Sequence, residues 1–314
     1  MACITQTGSE NSTNVRHNDG IGPIGRILGA LHAHAVHSAA EHAAREFLVP
    51  TRVVPPPMLA EPGGGSQPLA VPGWPVHLNA RSWGTPGAPS VLLLHGWSGQ
   101  QWDMYALVEP LLAKGFRVVA FDAPGHGRSA GEETSVPEMA RALRAVADAA
   151  GPVHGVVAHS MGAVALMLAL RDGLSAGRVA MVGLPADPVR YAAKAAAANK
   201  LDAEERVEMF AILERRSAPF VDLSLPALGA TMSVPALLVH STDDRVAPVS
   251  ASLETAAAWR GSRVHLAEGL GHRRVLADAA VVAEIAAFVA SPRTSGSANG
   301  RLERASIDRP ARIG

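Results

Sequence analysis

Cysteine is almost absent: Cys3 is the only one in 314 residues. No intrachain disulfide can form, so a reducing compartment is expected, and the cytoplasm is the natural location. Charge of either sign is not in excess, with 28 basic and 28 acidic residues giving a formal net charge of zero. No overall field therefore draws nucleic acid or an anionic membrane to the chain, and neither is expected as a partner. Long hydrophobic runs are missing too. The longest candidate, around residues 158–170, has the length of a buried core helix and falls short of the roughly 18 apolar residues that argue for a membrane span. The first twenty residues carry no basic segment followed by an apolar core, so no secretory leader is expected. Aromatic residues are scarce at 4%, yet apolar residues together reach 48%. That supply is enough for the core of one large α/β domain.

The chain divides by composition. Residues 1–20, rich in Ser, Thr, Asn and Gly, have too little apolar content to pack and are expected to be disordered. Ile24, Leu28, Leu31 and Ala35 then recur at helical spacing, predicting an amphipathic helix over 21–47 with a weak apolar face. His34 and His37 stand one turn apart on it. With no carboxylate or cysteine cluster beside them, they read as solvated histidines and not as a metal site. Residues 50–75, with Pro55-Pro56-Pro57 and Gly63-Gly64-Gly65, read as an irregular surface segment.

From residue 76 the pattern becomes regular. An alternating Val76–Ala80 predicts an outer strand, and the unbroken Ser90–Leu94 predicts one covered on both faces. Helix, strand, helix and strand follow over 102–112, 116–121, 136–150 and 153–158; a helix over 160–170 and a strand over 179–183 complete the series. Repeated βαβ units predict an α/β fold with a mostly parallel central sheet flanked by helices, over 76–183 and 234–290. Between them, 184–233 is mainly helical, with helices expected over 191–200 and 204–216 and a looser 219–226. It leaves from a strand's carboxyl end, where open α/β sheets bind ligands, and is expected to be a small helical lid. Strands over 234–240 and 263–266, helices over 252–259 and 276–289, and an Arg-rich flexible tail over 291–314 close the chain.

One stretch concentrates chemistry. In Val153–Ala163 an apolar strand ends at Ser160 and a long helix begins at once. Small residues at Ala158 and Gly162 let strand and helix pass, so the hydroxyl is lifted clear of the backbone, and the helix aims free N–H groups at the turn. A serine hydroxyl is a poor nucleophile near neutral pH; it needs a base in reach and a carboxylate to orient that base. Both types occur at later strand ends, as Asp243-Asp244 and as His272 in Gly269-Leu270-Gly271-His272. Leu94-His95-Gly96-Trp97 ends an earlier strand in a turn whose backbone could supply an oxyanion donor.

These segments together resemble the α/β-hydrolase fold, serine esterase and lipase-like branch, over roughly residues 76–290. The family's oxyanion turn is similar to His95-Gly96-Trp97, and its Asp-x-Pro-Gly-x-Gly-x-Ser loop to Asp122–Ser129. The elbow resembles His159-Ser160-Met161-Gly162, with Ala158 in place of the usual first glycine. Asp244-Arg245-Val246-Ala247-Pro248 resembles the acid loop in a register that selects Asp244, although Asp243 and Asp187 remain alternatives. The resemblance implies Ser160, Asp244 and His272 as catalytic residues, and the backbone N–H groups of Trp97 and Met161 as the oxyanion hole. Trp102 and His159 are possible substrate-pocket residues, whereas His95 and His126 read as turn-packing residues. The implied function is a serine hydrolase acting on carboxylic esters of small, fairly apolar molecules, with a small-molecule substrate as its partner and neither cofactor nor metal. Thioesterase, C–C bond hydrolase and cofactor-free perhydrolase or acyltransferase chemistry would use the same residues. A non-catalytic ligand-binding protein on this fold is the alternative of another class.

Overall fold

A computed structural model describes residues 23–53 and 61–292. The expected disordered start over 1–20 and the tail beyond 292 lie outside the described residues. Chain order begins with α1 (Pro23–Leu48), β1 (Gln67–Pro68), β2 (Ala80–Trp83) and β3 (Ser90–Leu94). A 3-10 turn over Gln101–Leu107 leads into α2 (Val108–Leu112), β4 (Arg117–Phe121), α3 (Val136–Ala150), β5 (Val153–His159), α4 (Met161–Arg171) and β6 (Arg178–Val182). The interval after β6 holds α5 (Pro188–Ala198), α6 (Ala203–Arg216), a 3-10 turn over Phe220–Leu223 and α7 (Leu225–Thr231). The chain ends with β7 (Ala236–Ser241), α8 (Val249–Ala258), β8 (Ser262–Ala267), α9 (Gly271–Arg274) and α10 (Ala279–Ala290).

The strands form one sheet in the order β1-β2-β4-β3-β5-β6-β7-β8. From β4 through β8 every pairing is parallel, whereas β1–β2 and β2–β4 are antiparallel. The expected outer strand is present but later than 76–80: the pairing runs over Ala80–Trp83 against Val118–Phe121. Asn79 is drawn out of the ladder, because its side chain donates to Asp122 Oδ2 at 2.7 Å and its amide to Ser129 Oγ at 2.9 Å. The short β1 lies within the segment expected to be irregular.

β3, β5 and β6 have no exposed faces beyond the first residues of β5, as their continuous apolar runs require. One core layer packs α3, α4 and α7 against Leu92, Leu94, Val156 and Ala158; the other packs α10 and the Gln101–Leu112 segment against Leu93, Val157 and Val239. α4 is buried from Gly162 to Ala169, so it carries no polar stripe. Helix ends are set locally. Ser135 Oγ accepts from Glu138 N and Gly151 at φ +83° closes α3, Asp202 and Glu205 form a capping box on α6, and Asp278 caps α10. The segment expected to loosen over 219–226 holds the 3-10 turn Phe220–Leu223 and the start of α7, where Pro226 sits in the first turn and fits without losing a hydrogen bond.

α1 forms over the expected range, but the face expected to be apolar is not buried. Ile24, Leu28 and Leu31 are more than half exposed, and burial falls on Val36, Ala40, Ala43, Ala44 and Leu48. These pack on Ala192 and Ala196 of α5 and on Met209, Ile212 and Leu213 of α6, a hydrophobic cluster separate from both sheet layers. Polar pairs flank it. His32 meets Glu204 and His37 meets Glu208, each at 3.0 Å, while Arg216 bonds Glu41 and also Glu133 at 3.2 Å. Of the two histidines expected to be solvated, His34 is exposed and His37 pairs with a carboxylate on α6 while staying more than half exposed, and no group of three or more potential metal ligands gathers among the described residues. No helix among the described residues is long and apolar enough to cross a membrane.

Candidate active site

β5 delivers its chain into a strained turn. Ser160 has φ +51° and ψ −125°, a conformation that costs a non-glycine residue free energy and that aims its side chain above the sheet. Two glycines make the turn fit. A Cβ at Gly96 would lie 2.8 Å from Ser160 Cβ, and one at Gly162 would collide with the carbonyl oxygen of His95. Close approach of the 95–98 turn to the elbow therefore depends on both. Met161 opens α4, and its amide, in the first turn, has no acceptor inside the helix.

A hydrogen-bonded chain runs from the serine. His272 Nε2 accepts from Ser160 Oγ at 3.0 Å, and His272 Nδ1–H donates to Asp244 Oδ2 at 2.6 Å. The other carboxylate oxygen of Asp244 accepts from the amides of Val246 at 2.8 Å and Ala247 at 2.9 Å. Burial pushes the Asp244 carboxyl up, but its bond to His272 and those two amides outweigh burial, and it stays below the ordinary carboxylate range. The alternatives for the acid have other tasks. Asp243 Oδ1 accepts from Ser241 Oγ at 2.5 Å and from Gly271 N at 3.0 Å, fastening the loop that carries His272. Asp187 caps α5 by accepting from Val189 N at 3.0 Å.

Four buried histidines brace this region. Ala123 N donates to His95 Nε2 at 2.9 Å, so the proton of His95 sits on Nδ1 and goes to Gly96 O at 2.7 Å. His126 donates from Nδ1 to Pro124 O at 2.9 Å, and its ring edge meets Trp97 at 5.5 Å; its Nε2 has no partner. His159, expected in the pocket, is not among its lining residues: Nε2–H donates to His272 O at 2.9 Å, and the two rings meet at 4.7 Å between centroids, tilted by 45°. Burial and the adjacent His272 ring push His159 down to about 3, so it is a neutral support for the His272 loop. His240 bonds Ser252 Oγ at 2.7 Å and Ala247 O at 3.1 Å, and its Nε2 stands 3.5 Å from Asp244 Oδ2.

Sequence reasoning passed over His240 and Gly183. Gly183 follows β6 at φ +61°, and a Cβ there would lie 3.2 Å from His272 Nδ1 and Cε1. A glycine directly after a parallel strand was the available signal. Trp102, the other expected pocket residue, does not line the cavity. It is half-buried in the 3-10 turn after β3.

Ser160 and His272 open into a cavity of about 600 Å³ whose lining includes Trp97, Met161, Tyr191, Leu213, Phe220 and Val246. It lies beyond the carboxyl ends of the strands, where ligands bind in open α/β sheets. A groove of about 790 Å³ at the amino ends of β6 and β7 contains none of these groups. Ser160, Met161 and His272 line this cavity, with the Asp244 side chain buried behind His272, an arrangement of hydroxyl, imidazole, carboxylate and helix-start amide that suits acyl transfer.

Comparison with known proteins agrees with this architecture. Over part of its length the chain is 38% identical to a non-heme chloroperoxidase of Burkholderia pyrrocinia, covering 33% of this chain and 39% of that one. It is 37% identical to a human serine hydrolase-like protein over 31% of this chain and 48% of that one. The chain thus spans less than half the length of these curated relatives. Among solved structures, an esterase of Pyrococcus furiosus superposes with a TM-score of 0.59 at 19% identity, covering 77% of this chain and 98% of that one. A 2-hydroxy-6-oxo-6-phenylhexa-2,4-dienoate hydrolase of Rhodococcus superposes with a TM-score of 0.55 at 19% identity, covering 72% and 98%. The pattern of the alpha/beta hydrolase family matches residues 91–285, more than half of the chain, and the protein belongs to that family.

Proposed function

We propose that the protein is a serine hydrolase that cleaves carboxylic esters of small, fairly apolar substrates through an acyl-enzyme on Ser160. The single observation that carries this reading is the unbroken hydrogen-bonded path Ser160–His272–Asp244 at the floor of a largely apolar cavity. Ser160 Oγ attacks the ester carbonyl carbon as its proton passes to His272 Nε2, and Asp244 stabilises the imidazolium. The carbonyl oxygen, now an oxyanion, is held by the amides of Trp97 and Met161. Collapse breaks the bond to the leaving oxygen, which takes the proton from His272 and departs as the alcohol. Water then gives its proton to His272 and attacks the acyl carbon, and the acid leaves as the proton returns to Ser160 Oγ. No step requires a metal or an organic cofactor.

A fluorophosphonate probe tests the nucleophile, and p-nitrophenyl esters test the reaction. Labelling and ester turnover are expected in the wild type and should vanish in Ser160→Ala. A folded wild type that neither labels nor turns over any ester favours the ligand-binding alternative. A second reading has support from the relatives. One is the chloroperoxidase, and another is a bifunctional esterase/perhydrolase of Acinetobacter calcoaceticus, 47% identical over 16% of this chain and 18% of that one. In that chemistry hydrogen peroxide replaces water as the attacker of the acyl-enzyme and a peroxy acid leaves. Product analysis with ester and peroxide together separates the two.

A further inference from the structure

The wall of the cavity is not made by the family-matched region alone. Glu46, Phe47, Leu48, Val49 and Thr51, the end of α1 and the strap after it, also line it, and all precede residue 91, where the family match begins. This strap is fixed in place by hydrogen bonds along its length. Leu48 O accepts from Thr134 N at 2.9 Å, Thr51 N donates to Ser98 Oγ at 3.0 Å, and Gln100 Nε2 donates to Val53 O at 2.8 Å. Arg52 reaches across to the carbonyls of Gly127 at 2.6 Å and Ser129 at 3.0 Å, and also bonds Gly131 O. The strap is therefore held to the turn that carries Trp97 and to the loop after β4.

Chemistry divides the cavity into two sides. The leaving oxygen must come within reach of His272 Nε2, so Val246 and Arg273, which flank Asp244 and His272 along the chain, border the leaving group. The strap stands on the side of the oxyanion turn, through its bond to Ser98. Phe47, Leu48 and Val49 are lining residues whose side chains carry no polar group, which suits an unsubstituted hydrocarbon.

We propose that residues 47–51 form the acyl-chain wall of the site and set the length of the straight-chain acyl group it accepts. The proposal rests on the ester-hydrolase reading. A wall fixed at both ends acts as a rigid stop, so acceptance falls steeply past one chain length and does not tail off.

The test measures kcat/KM for p-nitrophenyl esters from acetate to dodecanoate in the wild type, Val49→Trp and Phe47→Ala. Val49 is 40% exposed, so the larger ring is tolerated by the fold while it narrows the cavity. Excluding two methylenes from burial lowers the long-ester to acetate ratio of kcat/KM by roughly tenfold in Val49→Trp. Phe47→Ala moves the optimum to longer chains. In parallel, straight-chain carboxylic acids are titrated calorimetrically into Ser160→Ala with and without Val49→Trp, and the affinity cut-off is expected to shorten. Esterase activity with both profiles unmoved overturns the wall and leaves the ester reading standing. A shortened binding cut-off in a protein that cleaves no ester removes the ester reading and keeps the wall. Neither binding nor turnover removes both.

Discussion

Acidification is expected to cost this protein much of its stability well above the pH at which carboxylates titrate. Burial holds His126 and His159 each at about 3, while His95 and His240 are also lowered by burial. In the unfolded chain each would titrate at about 6.5. Below that value the unfolded state binds more protons than the native state, so stability rises with pH and falls as pH drops, down to the native values. Going from pH 7 to pH 4.5 each of His126 and His159 costs about 2.5 kcal/mol, together about 5 kcal/mol, at 1.36 kcal/mol per unit. His95 and His240 add in the same direction. His32 works oppositely, because its pairing with Glu204 raises it, but it is fully exposed. Asp244 enters later: its depressed value means that its contribution is present above the unfolded value and is lost only as pH falls through the lower native one. A loss of this size approaches the whole stability of a typical domain. Urea unfolding followed by circular dichroism at pH 7, 5.5 and 4.5 measures it. His126→Asn keeps a donor for Pro124 O without a titrating ring and should flatten the slope by about one proton. A free energy at pH 4.5 within about 1 kcal/mol of that at pH 7 would refute the reasoning.

Asp244→Asn leaves the side-chain shape but reverses what it offers to His272 Nδ1; kcat on a p-nitrophenyl ester should fall roughly 10⁴-fold with little change in KM, as expected for a base held in the wrong tautomer. Gly183→Ala places a methyl against the imidazole and strains a positive φ, so kcat should drop about tenfold or more and the melting temperature should decline, readable in one thermal and one kinetic assay. Leu166→Ala, in the fully buried α4, should cost about 2–5 kcal/mol in urea unfolding, and a smaller loss would mean that the helix can collapse into the space. Dialysis against EDTA should leave ester turnover unchanged; a loss restored by a divalent ion would point to a metal in the reaction.

Much of the layout was legible because its signals are local. β3 announces itself as an unbroken apolar run and β4 as an apolar run after Arg117, α3 by a capping serine at one end and a glycine at the other, and the Ser160 turn by small residues around a polar one. Loop placements depend on partners distant in sequence and were less readable. Asn79 leaves the strand pattern because Asp122 and Ser129 claim it, and Pro226 reads as a breaker until its helix is seen to begin beside it. The buried face of α1 was misread for the same reason. Its large apolar residues lie near its start, but the partners it meets, Ala192 and Ala196 of α5 and Met209, Ile212 and Leu213 of α6, take the small residues Ala40, Ala43 and Ala44 further along. Ser160, Asp244 and His272 were each visible at a strand end, whereas their distances, the support from His159 and the strap at 47–51 belong to the folded chain alone.

The pairing of α1 with α6 has a consequence for biosynthesis. His32 and Glu204 are 172 positions apart, and His37 and Glu208 are 171. At translation rates of about 5–20 residues per second, α1 therefore leaves the ribosome roughly 10–30 seconds before its partner exists. During that interval its alanine seam has nothing to rest on, and the helix must wait as a loosely held segment. Synthesis halted before residue 203 would yield a nascent chain already bearing Ser160 but without a roof above it, and limited proteolysis of such stalled chains should cut first within residues 23–53.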